Sequence, residues 1–133
     1  DWMVQHILPD EKVSVRNVTD DFGVLVLAGP RSRDVLSKLT DADLSNAGFP
    51  WLCGKTIDVS GIKTLALRVS YAGELGWELH IPMQNVAKLY DILMDTGAEF
   101  GIGNFGTYAM NSLRMEKAYK GWGNELTTEI TPI

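Results

Sequence analysis

Leu65-Ala66-Leu67-Arg68-Val69-Ser70-Tyr71-Ala72-Gly73-Glu74-Leu75-Gly76-Trp77-Glu78-Leu79-His80-Ile81-Pro82 reads as two strands around a glycine-bearing loop. Leu65, Leu67, Val69 and Tyr71 recur with a period of two, which puts them on one face of the first strand. Trp77, Leu79 and Ile81 repeat the pattern after the turn, with Glu78 and His80 opposite them. Gly73 and Gly76 supply the backbone freedom that a short loop needs. Pro82 closes the second strand because it has no N–H to give a ladder. The turn then gathers Tyr71, Glu74, Trp77 and Glu78 at one hairpin mouth.

Upstream, Val13 to Val18 alternates like a strand, Thr19-Asp20-Asp21 is a turn, and Phe22 to Gly29 is nearly continuous apolar sequence. The pattern predicts a hairpin of these two runs, the second a central strand covered on both faces. Gly29-Pro30-Arg31-Ser32 breaks that strand and opens a helix whose buried stripe is Val35, Leu36 and Leu39. Thr40 to Ser45 is a turn with a short helical segment after it, and Lys55 to Val59 alternates as a strand that Ser60-Gly61 turns into the opening one.

Downstream of Pro82, Val86, Leu89, Tyr90 and Leu93 have helical spacing, with Asn85 as N-cap and Gly97 as the terminating glycine. Gly101 to Gly106 is a glycine-rich connection without the lysine of a phosphate cradle. Thr107 to Lys120 is the last helix, burying or flanking with Tyr108, Leu113, Met115, Ala118 and Tyr119. Hairpins dominate this order, so the expected class is α+β: a mainly antiparallel sheet with helices packed on one face.

At 133 residues, 45% of them apolar and 22% charged, the chain has the composition of a globular domain, or a piece of one. A formal charge of -5 argues against nucleic acid or an anionic membrane as partner. No apolar run reaches spanning length, and the first residues show no signal peptide. Cys53 is the single cysteine, so no internal disulfide forms, and it reads as a small core residue. The chain opens on Asp1 and stops at Thr131-Pro132-Ile133, so residues 1–133 are expected to be a partial domain cut from a longer polypeptide.

His6 and His80 are far apart and form no HxxxH or CxxC spacing, so no metal site is expected. There is no GxSxG elbow and no GxGxxG fingerprint, so no residue is nominated as catalytic and no dinucleotide or flavin is bound by this chain. The hairpin mouth leaves two readings open. Tyr71 and Trp77 could be a cross-strand aromatic pair with Glu78 in solvent, and the residues by themselves favour this. Alternatively Glu78 accepts two parallel N–H donors from a planar amidine-like edge while an aromatic covers the ring, as an aminopyrimidine such as a pterin requires.

Tyr71-Ala72-Gly73-Glu74-Leu75-Gly76-Trp77-Glu78 resembles the Y-[TA]-G-E-x-G-[FWY]-E motif of the folate-binding aminomethyltransferase family, that of the glycine cleavage T-protein. A second stretch is Asn104-Phe105-Gly106-Thr107-Tyr108-Ala109-Met110-Asn111-Ser112-Leu113-Arg114-Met115-Glu116-Lys117-Ala118-Tyr119, followed by Trp122-Gly123. It looks like the tetrahydrofolate domain of dimethylglycine and sarcosine dehydrogenases more than the T-protein itself. Val24 to Arg33 is similar to the family's strand, turn and helix.

The resemblance implies a middle part of the T-protein-like folate fold, with tetrahydrofolate as cofactor and any flavin in a separate N-terminal domain. It implies capture of a one-carbon unit from an N-methyl amine as 5,10-methylenetetrahydrofolate. The family's pterin-binding glutamate matches Glu78 and the pocket aromatic matches Tyr71, while Glu74 matches a glutamate that holds the loop. Met110 stands where the T-protein has an arginine, which favours the dehydrogenase branch; Arg114 matches an arginine of both branches, with a structural ion pair as its other reading. The family's catalytic aspartate has no counterpart here, and Asp1 does not take its place.

Other branches stay open. They are the T-protein aminomethyltransferase, a folate-dependent demethylase, and a non-catalytic assembly module like the family's iron–sulfur maintenance members, whose cysteine motif Cys53 does not match. The expected partners are the folate, the remaining parts of the polypeptide and, through exposed apolar surface, other copies of the chain. The expected compartment is the cytoplasm in a bacterium and the mitochondrial matrix in a eukaryote.

Overall fold

A computed structural model describes residues 2–131; Asp1, Pro132 and Ile133 lie outside the described residues. The elements follow in the order α1 (Trp2–Gln5), β1 (Phe22–Ala28), α2 (Ser32–Ser37), β2 (Gly54–Val59), β3 (Ile62–Leu67), β4 (Gly76–Pro82), α3 (Val86–Gly97) and α4 (Thr107–Glu116). Short 3-10 turns at Met83–Asn85 and Ala98–Phe100 flank α3.

The four strands form one antiparallel sheet in the order β1-β4-β3-β2. Alternation along β4 turns Trp77, Leu79 and Ile81 to one face and Glu78 and His80 to the other. The first face is the core. Ile57, Val59, Ile62 and Ala66 join it from β2 and β3, and Val35, Leu36, Leu89 and Leu93 cover it from α2 and α3. Phe49 meets Trp77 edge-on at 6.3 Å between ring centroids. This is the two-layer α+β arrangement expected from the sequence.

Local chemistry fixes the joints. Ser60 and Gly61 both have positive φ, 50° and 78°, the handedness that a two-residue hairpin needs. Asp58 Oδ1 accepts the Gly61 N–H at 2.7 Å. Gly76 lies so close to β1 that a Cβ there would meet the Leu27 carbonyl oxygen at 2.6 Å.

Several expectations are corrected. Val13–Val18 is not a strand and forms no hairpin with the next run. Asn17 Oδ1 instead accepts from Thr19 N and Oγ1, a local turn that takes the place of a ladder. β1 is an edge strand, not a central one, and Phe22, Val24 and Val26 are exposed on its outer face. In β3 the buried face is Ile62, Thr64 and Ala66, so Leu65 points outward.

β3 ends at Leu67, so Tyr71 lies in a long connection, residues 68–75, rather than on the strand. No helix follows Thr40–Ser45. Asn85 makes no side-chain cap, and the left-handed residue after α3 is Gly101 at φ 74°, not Gly97. Gly97 is needed for another reason: a Cβ there would meet Ile102 at 2.7 Å. α4 ends at Glu116 and buries only Arg114; Tyr108 and Met115 are exposed.

Candidate functional site

Glu78 emerges from the middle of the sheet's open face. Its register partners are Val26 on β1 and Leu67 on β3, so a carboxylate stands between apolar neighbours. The connection from β3 brings Ser70, Tyr71 and Ala72 over one end of that face, and the segment entering α4 brings Phe105, Gly106, Thr107 and Met110 over the other side. Together with Val26 and Glu78 they line one cavity of about 330 Å³. The two sequence-nominated residues, Tyr71 and Glu78, therefore share a cavity, and the second motif supplies its opposite wall.

Each wall is held by its own contacts. The Tyr71 hydroxyl donates to the Lys120 carbonyl at 3.2 Å, and the Arg114 guanidinium lies 5.9 Å from the ring centroid. With its hydroxyl engaged, Tyr71 lines the cavity as a ring held in place. Arg114 is buried and donates from Nη1 to Glu125 Oε1 at 2.9 Å and to the Tyr119 carbonyl at 2.8 Å. Glu125 Oε2 also accepts the Gly121 N–H at 2.6 Å. That N–H, and then Arg114, hold the Glu125 carboxyl below its ordinary range. Arg114 is thus an ion-paired latch behind Tyr71.

Glu74 holds the loop. Lys117 Nζ lies 3.6 Å from its Oε1, and its backbone N–H donates to Ser70 Oγ. Gly73, at φ 75°, leaves the space that the Lys117 stem fills; a Cβ there would meet Lys117 Cγ at 2.2 Å. Trp77 does not belong to the mouth. It is fully buried on the opposite face, with the guanidinium carbons of Arg33 and Arg68 5.9 and 5.8 Å from its ring. The cross-strand Tyr71–Trp77 pair therefore does not form.

The arrangement offers one partly shielded carboxylate, two aromatic rings (Tyr71 and Phe105) and apolar flanks. That donor set suits a flat ring with adjacent N–H groups. Sequence reasoning missed Val26, Ser70 and Phe105 as lining residues. Phe105 belongs to the second motif, but its glycine-rich setting predicts only a plain connection. Val26 gives no sequence signal of this role, because a continuous apolar run predicts an interior strand rather than an edge. Among the described residues no three His, Cys, Asp or Glu side chains converge to hold a metal, and no helix is long and apolar enough to cross a membrane.

Residues 1–133 match the family described as the GCVT N-terminal domain. The chain is 50% identical over 121 residues to the mitochondrial dimethylglycine dehydrogenase of Mus musculus, covering 91% of this chain and 14% of that protein. It is 36% identical over 132 residues to the mitochondrial sarcosine dehydrogenase of Mus musculus, covering 98% and 14%. Against an aminomethyltransferase of Listeria innocua the identity is 39%, covering all of this chain and 35% of that protein. A heterotetrameric sarcosine oxidase from Corynebacterium sp. U-96, solved with pyrrole 2-carboxylate, superposes with a TM-score of 0.63 at 26% identity, covering 74% of this chain and 49% of that one. The chain thus spans about one seventh of the length of the dehydrogenases it matches, 14%.

Proposed function

The chain belongs to the GCVT N-terminal domain family, and on that premise we propose that it is the tetrahydrofolate-binding segment of a dimethylglycine or sarcosine dehydrogenase-like enzyme. Residues 1–133 form part of a larger folate domain, and the flavin sits elsewhere in the polypeptide. Tetrahydrofolate supplies the nitrogen nucleophile that takes a one-carbon unit from the oxidised N-methyl amine, giving 5,10-methylenetetrahydrofolate. This chain's residues bind and orient: Glu78 accepts the paired N–H donors of the pterin, Tyr71 and Phe105 cover its ring, and Val26 and Met110 keep water from the apolar edges. The family's proton-handling aspartate comes from outside these residues.

One observation carries this. Two motifs far apart in the chain line a single cavity with Glu78 as its carboxylate. Met110 lines the same cavity where the T-protein pattern has arginine, which supports the dehydrogenase branch over the aminomethyltransferase. The compartment follows the source: mitochondrial matrix in a eukaryote, cytoplasm in a bacterium.

The test is Glu78→Gln in the intact protein, with tetrahydrofolate binding measured by calorimetry. Replacing an ionised acceptor by an amide, which also presents an N–H toward the pterin's donors, should weaken binding about tenfold or more. Unchanged affinity in a variant with unchanged circular dichroism would remove Glu78 from the site.

A further inference from the structure

His80 has no role in the site so far, yet its surroundings leave it one. It projects from the same face of β4 as Glu78, two positions on. Its register partners are Val24 on β1 and Leu65 on β3, neither of which offers a side-chain acceptor. The remaining ionisable groups of that face on the strands are Lys63 on β3 and Asp58 opposite it on β2, both exposed. His80 Nε2 is buried without a hydrogen bond and lies 3.4 Å from Glu78 Oε2.

We propose that His80 is the positioning residue for Glu78, donating Nε2–H to Oε2 and fixing the plane in which the carboxylate meets its ligand. A carboxylate oxygen has two lone pairs, so Oε2 can accept from the imidazole and still join Oε1 in receiving two parallel N–H donors. The Nε2–H tautomer suits this geometry, because the other neutral form would set two acceptors against each other. At 3.4 Å the two groups are near but not aligned for a bond, so forming it takes a rotation of the imidazole or the carboxylate together with a closing of roughly 0.5 Å. Val24 and Leu65 flank the imidazole on either side and offer it no competing acceptor, and Nε2 itself is buried. Only the identity of the ligand rests on the folate reading; the pairing itself does not.

The experiment therefore has two arms on the intact protein. Without ligand, imidazole nitrogen NMR should report an Nε2-protonated His80 whose signals move in Glu78→Gln; an Nδ1-protonated ring, or signals indifferent to Glu78→Gln, overturns the proposal. With tetrahydrofolate as probe, His80→Leu should weaken binding about tenfold, and His80→Gln, which keeps an N–H donor near the same place, should restore most of it. Equal affinity of His80→Leu and the parent, or equal losses in both variants, overturns it as well. If the parent protein shows no tetrahydrofolate binding, the folate reading falls and the ligand-free NMR decides the pairing by itself.

Discussion

At the scale of single residues the site turns on neighbours in sequence that face opposite ways. Trp77 packs in the core and Glu78 opens into the cavity, a separation that strand alternation alone dictates and that the sequence makes legible. Tyr71 and Trp77, which the turn is expected to bring together, lie apart, because Tyr71 is beyond the end of β3 and follows loop geometry rather than strand register. Gly73 was legible as a turn glycine, but the reason for it includes Lys117, which no local pattern reveals. Gly73→Ala should cost about 1–2 kcal/mol from the left-handed backbone, and it should also push Lys117 away from Glu74. Chemical denaturation would show the loss, and the part of it that disappears in a Lys117→Gly background is the steric share, the backbone cost remaining. Glu125 gives a pH signature. Its carboxyl is held low by the Gly121 N–H first and Arg114 second, so its contribution is fully present above the ordinary value of 4.5 and fades as pH falls through the lower folded value. Glu125→Gln should therefore be less stable than the parent near neutral pH, with the gap narrowing in urea titrations carried below pH 4.5. A gap that is constant with pH would mean that Glu125 acts through something other than its charge.

At the scale of elements, the sequence conveyed which segments are strands better than where each one sits. β2, β3, β4 and α3 were all legible from periodicity and turn chemistry. The inverted face of β3 has a packing cause. Thr64 and Ala66 are small residues beside the bulk of Trp77 and Leu79, so the core needs the lesser side chains there and leaves Leu65 outside. A run of apolar residues signals area to bury, not a position in the sheet, which is why β1 read as central and proved to be an edge. α4 belongs to the same lesson: its residues looked partly apolar, yet it buries only Arg114 within the chain. A helix so thinly anchored should open locally at low free energy. Hydrogen exchange should find the α4 amides exchanging well ahead of those of α3, whose Leu89 and Leu93 lie in the core. Equal protection of the two helices would show that α4 draws support from contacts not visible in these residues.

At the scale of the whole molecule, α2 and α3 cover one face of the sheet, while the other carries exposed apolar residues on β1 and β3 around Glu78 and His80. Phe22, Val24, Val26 and Leu65 are each 44–52% exposed on that open face, and Trp2, Val4 and Tyr108 are more exposed still. Scattered exposed apolar residues are ordinary, but a row of them along one strand forms a continuous patch. Phe22, Val24 and Val26 make an apolar strip along β1, and Leu65 on β3 lies across His80 from it. β1 adds an unpaired edge, which in a flat apolar strand invites further pairing. The 133-residue chain by itself should therefore self-associate, with sedimentation velocity showing larger species as concentration rises. Val24→Lys places a charge in the patch without entering the cavity lining, and it should shift that distribution toward monomer while leaving the circular dichroism unchanged. If the parent stays monomeric at high concentration, the open face is too small or too interrupted by Glu78 and His80 to drive association. If Val24→Lys leaves the association intact, the driving surface is the N-terminal segment or α4 rather than the sheet.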